Sequence, residues 1–335
     1  MDVRYSPEQV ALRDAASQLV DRLAPRAVRE LEDSDRAAKL DAALEATGWR
    51  EVRAGDDSGR PLGSGVDAAI VAEQLGRGLA DTPFLGPALA VDLRRRAGAP
   101  QSAGEETVLL SAELDALAMG PSSALAVDAG RARTALLLMG SPDEYALGEV
   151  AVEPVEGRTD LTRGAAAPLP EPVPIRVGAR TLTADDMASW VALGLALTCA
   201  DLVGTMTGAV DLACRYASSR HQYGVAIGSF QAVQHLLADA HVATEGSRSL
   251  ALHAAWAVDA LPAGEALVAA ATAKAYCARA ARSVCETAIQ IHGGIGNTWE
   301  CMAHVFLRRA LLSTAILGGE GVNLARVLDH HGLGR

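Results

Sequence analysis

The 335-residue sequence predicts a mainly helical protein with a small β-domain between two helical parts. Three observations carry this. Residues 1–104 and 185–335 repeat apolar residues at three- and four-residue spacing, the period of a helix with a buried face. Residues 105–184 read as short apolar runs cut by Gly and Pro, the pattern of strands and turns. Half of the residues are hydrophobic but only 4% are aromatic, so the core has to be built from Ala, Leu and Val.

The N-terminal helical domain, 1–104, opens with Ser6-Pro7-Glu8-Gln9. This is a helix start, with Ser as N-cap, Pro in the first turn and Gln at the capping-box position. Val10, Leu12, Ala15, Leu19 and Leu23 follow at helical spacing until Pro25. A second helix is expected over 36–47, stopping at Gly48, and 53–65 reads as a loop rich in Gly and Asp. Helix resumes near Asp67, with Ile70, Val71, Leu75 and Leu79 on one face, and ends before Pro83.

In the β-domain, 105–184, strands are expected at 108–111, 125–127, 134–139 and 150–155. Gly120-Pro121, Gly140-Ser141-Pro142 and the alternate prolines Pro168, Pro170, Pro172 and Pro174 break them. The C-terminal part, 185–335, predicts long helices over 185–219, 229–261 and 264–292, then shorter ones over 302–312 and 321–330. The long ones are apolar all round, so each packs on several neighbours, as in a four-helix bundle.

A formal net charge of -11 argues against nucleic acid and against broad contact with anionic membrane. No run of 18 uninterrupted apolar residues suggests a membrane span, and the opening residues lack the apolar run of a signal or transit peptide. The five cysteines form no C-x-x-C pair, so free thiols in a reducing cytoplasm are expected rather than disulfides or metal ligands. The histidines have no H-E-x-x-H spacing, and no metal site is expected.

Two segments carry the chemistry. Arg220-His221-Gln222-Tyr223-Gly224, followed by Phe230-Gln231, sits where a long helix gives way to a loop. Arg offers fixed donors suited to a pyrophosphate, and nearby aromatics can pack on an adenosine; a solvated helix-end Arg reads the same way. Gln290-Ile291-His292-Gly293-Gly294 runs on into Ile295-Gly296-Asn297. Consecutive glycines let a backbone approach a ligand closely, although a helix C-cap also calls for one Gly.

With these motifs the chain resembles the acyl-CoA dehydrogenases, a flavoprotein family. Gly48-Trp49, Glu73-Gln74-Leu75-Gly76-Arg77 and Thr82-Pro83-Phe84 follow the order of that family's first domain. The resemblance implies that Arg220, Gln222, Tyr223, Phe230, Gln231, Gln290, Ile291, His292, Gly293 and Gly294 contact FAD of a neighbouring subunit. It also implies an acyl-CoA thioester substrate and a catalytic carboxylate that takes its α-proton. Counting from Arg308 places Leu317 at the position of that base; aligning the glycine pair places Gly318 there. The family's other base position falls near Gly194. None of these is an acid, and Glu320 fits only with residues inserted. The family's Thr-Glu-Pro and Trp-Ile-Thr flavin-ring segments are missing from a β-domain that is short for the family.

The expectation is therefore a subunit of a hetero-oligomeric acyl-CoA dehydrogenase, completed by a homologous partner, as in some actinobacterial steroid and lipid catabolic enzymes. Two alternatives stay open. One is a self-sufficient homo-oligomer with Glu320 as base; the other is a non-redox acyl-CoA or acyl-carrier binding or structural partner.

Overall fold

The computed structural model describes residues 4–141, 144–157 and 159–334, so the break expected at Pro142 lies outside the described residues. In the N-terminal part α1 (Pro7–Leu23), α2 (Ser34–Glu45), α3 (Gly65–Arg77) and α4 (Leu85–Ala97) follow one another. The Ser6 capping box forms as expected: the Ser6 hydroxyl accepts the Gln9 N–H, and the Gln9 side chain accepts the Ser6 N–H. Helix α4 is not anticipated by the sequence reading, because Pro83 and Gly86-Pro87 look like breakers. Pro87 lies in the first turn, where an N–H would have no intrahelical acceptor. The orphan N–H groups of Phe84 and Gly86 donate to the Asp128 carboxylate at 2.8 and 3.2 Å, so the cap comes from the β-region.

Strands β1 (Glu106–Leu110), β2 (Leu125–Val127), β3 (Thr134–Ser141), β4 (Glu144–Pro154), β5 (Ala165–Pro168) and β6 (Ile175–Arg176) form one sheet in the order β3-β1-β2-β5-β4-β6. Because β3 also pairs with β4, the first five close into a small barrel. Only the β1–β3 pairing is parallel among the described strands of this sheet. Alternation divides the strands by face. Leu109, Leu137, Val150 and Val152 fill the barrel with Ala126, Ala135 and Ala166, while Val108, Leu110, Leu136 and Leu138 join the helical core. β4 is longer than expected because 144–149 pair with β3. Gly148 hides the alternation there: a Cβ on it would lie 2.7 Å from the Met139 sulfur.

The C-terminal part holds α5 (Ala184–Ser219), α6 (Gln231–Ala260), α7 (Ala263–His292), α8 (Ala303–Ala315) and α9 (Glu320–His330). Their ends fall within three residues of those expected. Thr183 and Asp186 make a capping box at the start of α5, and Pro262 separates α6 from α7. By length and composition α5 could cross a membrane, yet it lies inside the bundle against α3, α6, α7 and α8, with Leu193, Leu197 and Leu202 fully buried. Glycines seam it to α3. A Cβ on Gly204 would sit 1.9 Å from the Glu73 carbonyl oxygen, and one on Gly76 would sit 2.4 Å from that of Asp201. The two backbones therefore touch, which is why Gly follows Glu73-Gln74-Leu75.

Candidate functional site

Arg220 caps the C-terminus of α5, and the chain leaves as a hairpin of β7 (His221–Gln222) and β8 (Val225–Ala226). The two loop residues, Tyr223 and Gly224, have φ of 52° and 82°, the mirror-image turn whose twist matches a tight hairpin. Tyr223 is thereby thrown outward, 95% exposed, and meets Phe230 edge-on with ring centroids 6.4 Å apart. Arg220, Gln222 and Gln231 are exposed on the same excursion.

Helix α7 ends on the second motif. Gly293 has φ 65°, and a Cβ on Gly293 or Gly294 would meet nothing within 4 Å, so this backbone faces open space. Gln290 is exposed. Ile291 and His292 turn inward: Ile291 joins the core, and the His292 Nδ1–H donates to the Ala288 carbonyl at 2.7 Å. The His292 ring stacks on Tyr216 at 4.4 Å. Tyr216 lies one turn before Arg220, so this stack brings the two motifs together. Any ligand contact at positions 291 and 292 runs through the backbone.

The two positions where the resemblance puts a base also meet. A Cβ on Gly194 would lie 2.2 Å from Leu317 Cδ1 and 3.5 Å from Leu89 Cδ2. Leu317 is fully buried with φ 58°, in the turn between α8 and α9, and its side chain fills the space beside Gly194. That turn is tied down from every side. The Leu317 N–H donates to the Leu114 carbonyl at 2.6 Å, which joins the turn directly to the loop after β1. Arg326 donates to the carbonyls of Leu317 (2.7 Å) and Asp115 (2.9 Å), and Asn323 to that of Gly318 (2.7 Å). Lys274, wholly buried on α7, donates to the carbonyls of Ser313 (2.6 Å) and Ile316 (2.7 Å) and to the Thr198 hydroxyl (3.2 Å). Burial lowers its pKa to about 8.

Glu320 is the first residue of α9, where the helix dipole favours a carboxylate. Its carboxylate pairs with the Arg279 guanidinium of α7, beside a surface cleft of about 530 Å³ that Tyr276 and Leu324 also line.

A buried ionic cluster, not anticipated from the sequence, closes the junction between α5, α8 and the β-region. Asp201 Oδ1 accepts from Arg309 (2.6 and 3.0 Å) and pairs with Arg163 (2.9 Å); its Oδ2 accepts the Ser313 hydroxyl at 2.7 Å. Burial by itself would raise the Asp201 pKa, but the two guanidiniums bring it down to about 2. The gap left beside Leu75, Phe84 and these side chains is about 10 Å³. An acid inside an apolar helix was the one available signal.

Residues 191–331 match the model of the acyl-CoA dehydrogenase C-terminal domain. The chain is 33% identical over 325 residues to acyl-CoA dehydrogenase IpdE2 of Mycobacterium tuberculosis, covering 92% of this chain and 93% of that one. It is 28% identical over 328 residues to IpdE2 of Mycolicibacterium smegmatis, covering 96% and 98%. A chain of the ChsE4-ChsE5 complex from Mycobacterium tuberculosis superposes with a TM-score of 0.78 at 23% identity, covering 99% of both. A shared fold, family motifs in the expected order and full-length similarity agree: the chain belongs to the acyl-CoA dehydrogenase family of oxidoreductases.

Proposed function

We propose that this chain is the subunit of a heteromeric acyl-CoA dehydrogenase that contacts the cofactor across an interface and carries no catalytic base. The observation that carries the reading is Leu317 packed onto Gly194. Dehydrogenation of an acyl-CoA thioester needs an unprotonated acceptor for the α-proton, and bound FAD takes the β-hydride. Leu317, Gly318 and Gly194 offer no such acceptor. The loop after β1 is bonded straight to the α8–α9 turn, and the family's flavin-ring segments are missing, so the interior does not fit a flavin ring.

The outer face does fit a dinucleotide. Arg220 supplies a guanidinium for phosphate, Tyr223 and Phe230 supply exposed aromatic surface, and the Gly293-Gly294 backbone is open. A homologous partner would then hold the flavin ring and the base, with this chain completing the FAD site. That one structural relative is a chain of the ChsE4-ChsE5 complex supports an assembly of this kind. Glu320 is less suited to the role of base because Arg279 already holds its carboxylate.

The test is flavin content. The purified chain alone should be colourless, and FAD should be retained stoichiometrically only with a homologous subunit. A yellow homo-oligomer with one FAD per chain would rule the proposal out.

A further inference from the structure

Trp299 follows the Gly293–Asn297 turn with 64% of its surface exposed. Its indole is held in place. The Arg308 guanidinium carbon lies 5.8 Å from the ring centroid, and the His304 ring meets it edge-on at 5.1 Å and 82°. Arg308 is itself anchored, donating to the Thr159 carbonyl at 3.2 Å. His304 is only 8% exposed, which fixes its ring against the indole.

Trp299 stands five residues after Gly294, on the segment that continues the open glycine turn. An exposed aromatic plane, a guanidinium against it and nearby glycines that admit close approach suit one kind of ligand. It is a planar heteroaromatic ring carrying phosphate.

We propose that Trp299 is the stacking platform for the heteroaromatic ring of a nucleotide lying along the glycine turn, with Arg308 lending charge and His304 holding the indole in place. This rests on the nucleotide-contact face argued above and adds a subsite to it.

The experiment titrates the full-length chain with ADP, followed by tryptophan emission and by calorimetry. The wild type is compared with Trp299→Leu, Trp299→Phe and Arg220→Ala, with circular dichroism as the check on folding. ADP should quench the wild-type emission. Trp299→Leu should weaken binding about tenfold or more, as loss of a stacked base contact does, and Trp299→Phe should restore most of it. If Arg220→Ala weakens ADP binding and Trp299→Leu does not, the nucleotide face stands and this subsite falls. If the wild type does not bind ADP, or neither variant matters, this subsite falls, while the wider reading is still judged by flavin content with a homologous subunit. If Trp299→Leu binds ADP normally but no longer assembles with a homologous subunit, Trp299 is a protein contact and the inference is overturned.

Discussion

Replacing Asp201 with Asn tests the buried cluster most sharply. The native carboxylate accepts from Arg309 and Ser313 and faces Arg163, all within 3.0 Å. Asn keeps the shape but removes the charge, and its NH₂ adds donors where Arg163, Arg309 and Ser313 already donate. The depressed pKa gives the order of the loss. Its fall from 3.8 to about 2 corresponds to about 2.5 kcal/mol at neutral pH. Breaking a buried pair by removing one partner typically costs about 3–5 kcal/mol, so the expected loss lies between about 2.5 and 5. Because the folded-state pKa is depressed, this contribution is present above pH 3.8 and disappears as pH falls through about 2. Urea unfolding of wild type and Asp201→Asn at pH 7 measures the gap, and repeating it toward pH 3 should narrow it. A loss below about 1 kcal/mol at pH 7, or a gap that widens in acid, would refute the argument.

Three further outcomes are expected. Arg220→Ala should reduce FAD retention in the assembled enzyme about ten- to hundredfold, since a charge-assisted contact to a diphosphate contributes roughly 1.5–3 kcal/mol; unchanged flavin content with intact folding would leave Arg220 a helix-end charge. Glu320→Gln should keep most of the acyl-CoA-dependent reduction of an artificial electron acceptor, whereas loss of a true general base costs about 10²–10⁴ in rate. A collapse of kcat at normal FAD content would make Glu320 catalytic. Gly204→Ala should destabilise by about 3 kcal/mol or more, because its methyl would lie 1.9 Å from a backbone carbonyl; an unchanged Tm would contradict the close α3–α5 packing.

What the sequence made legible was local. The break between α6 and α7 and the end of α7 could be read because Pro262 and Gly293 punctuate them in the chain itself. Helix α4 could not, since its cap is the carboxylate of Asp128, 42 residues beyond Gly86. What occupies the positions where the resemblance puts a base was half legible: the absence of an acid at 317, 318 and 194 is plain in the letters, but the contact of Leu317 with Gly194 exists only once α5 and the α8–α9 turn pack together. The Asp201–Arg309 pair spans 108 residues and leaves no periodic trace. Trp299 went unremarked because a single exposed aromatic has no pattern.

The hairpin after α5 has a kinetic consequence. Tyr223 and Gly224 already hold the left-handed backbone of the turn, and the ladder pairs His221 with Ala226 and Gln222 with Val225. A flexible segment that ordered only on contact would forfeit roughly 1–2 kcal/mol per residue in backbone entropy at that moment. Here that cost falls during folding, not at encounter. What remains to be ordered is chiefly the Tyr223 side chain. We expect a rigid finger of this kind to associate in a single phase, with no concentration-independent step from a refolding loop, in stopped-flow mixing with the homologous subunit proposed above. A slow, concentration-independent phase abolished by Gly224→Asn would show instead that the finger rearranges as it docks.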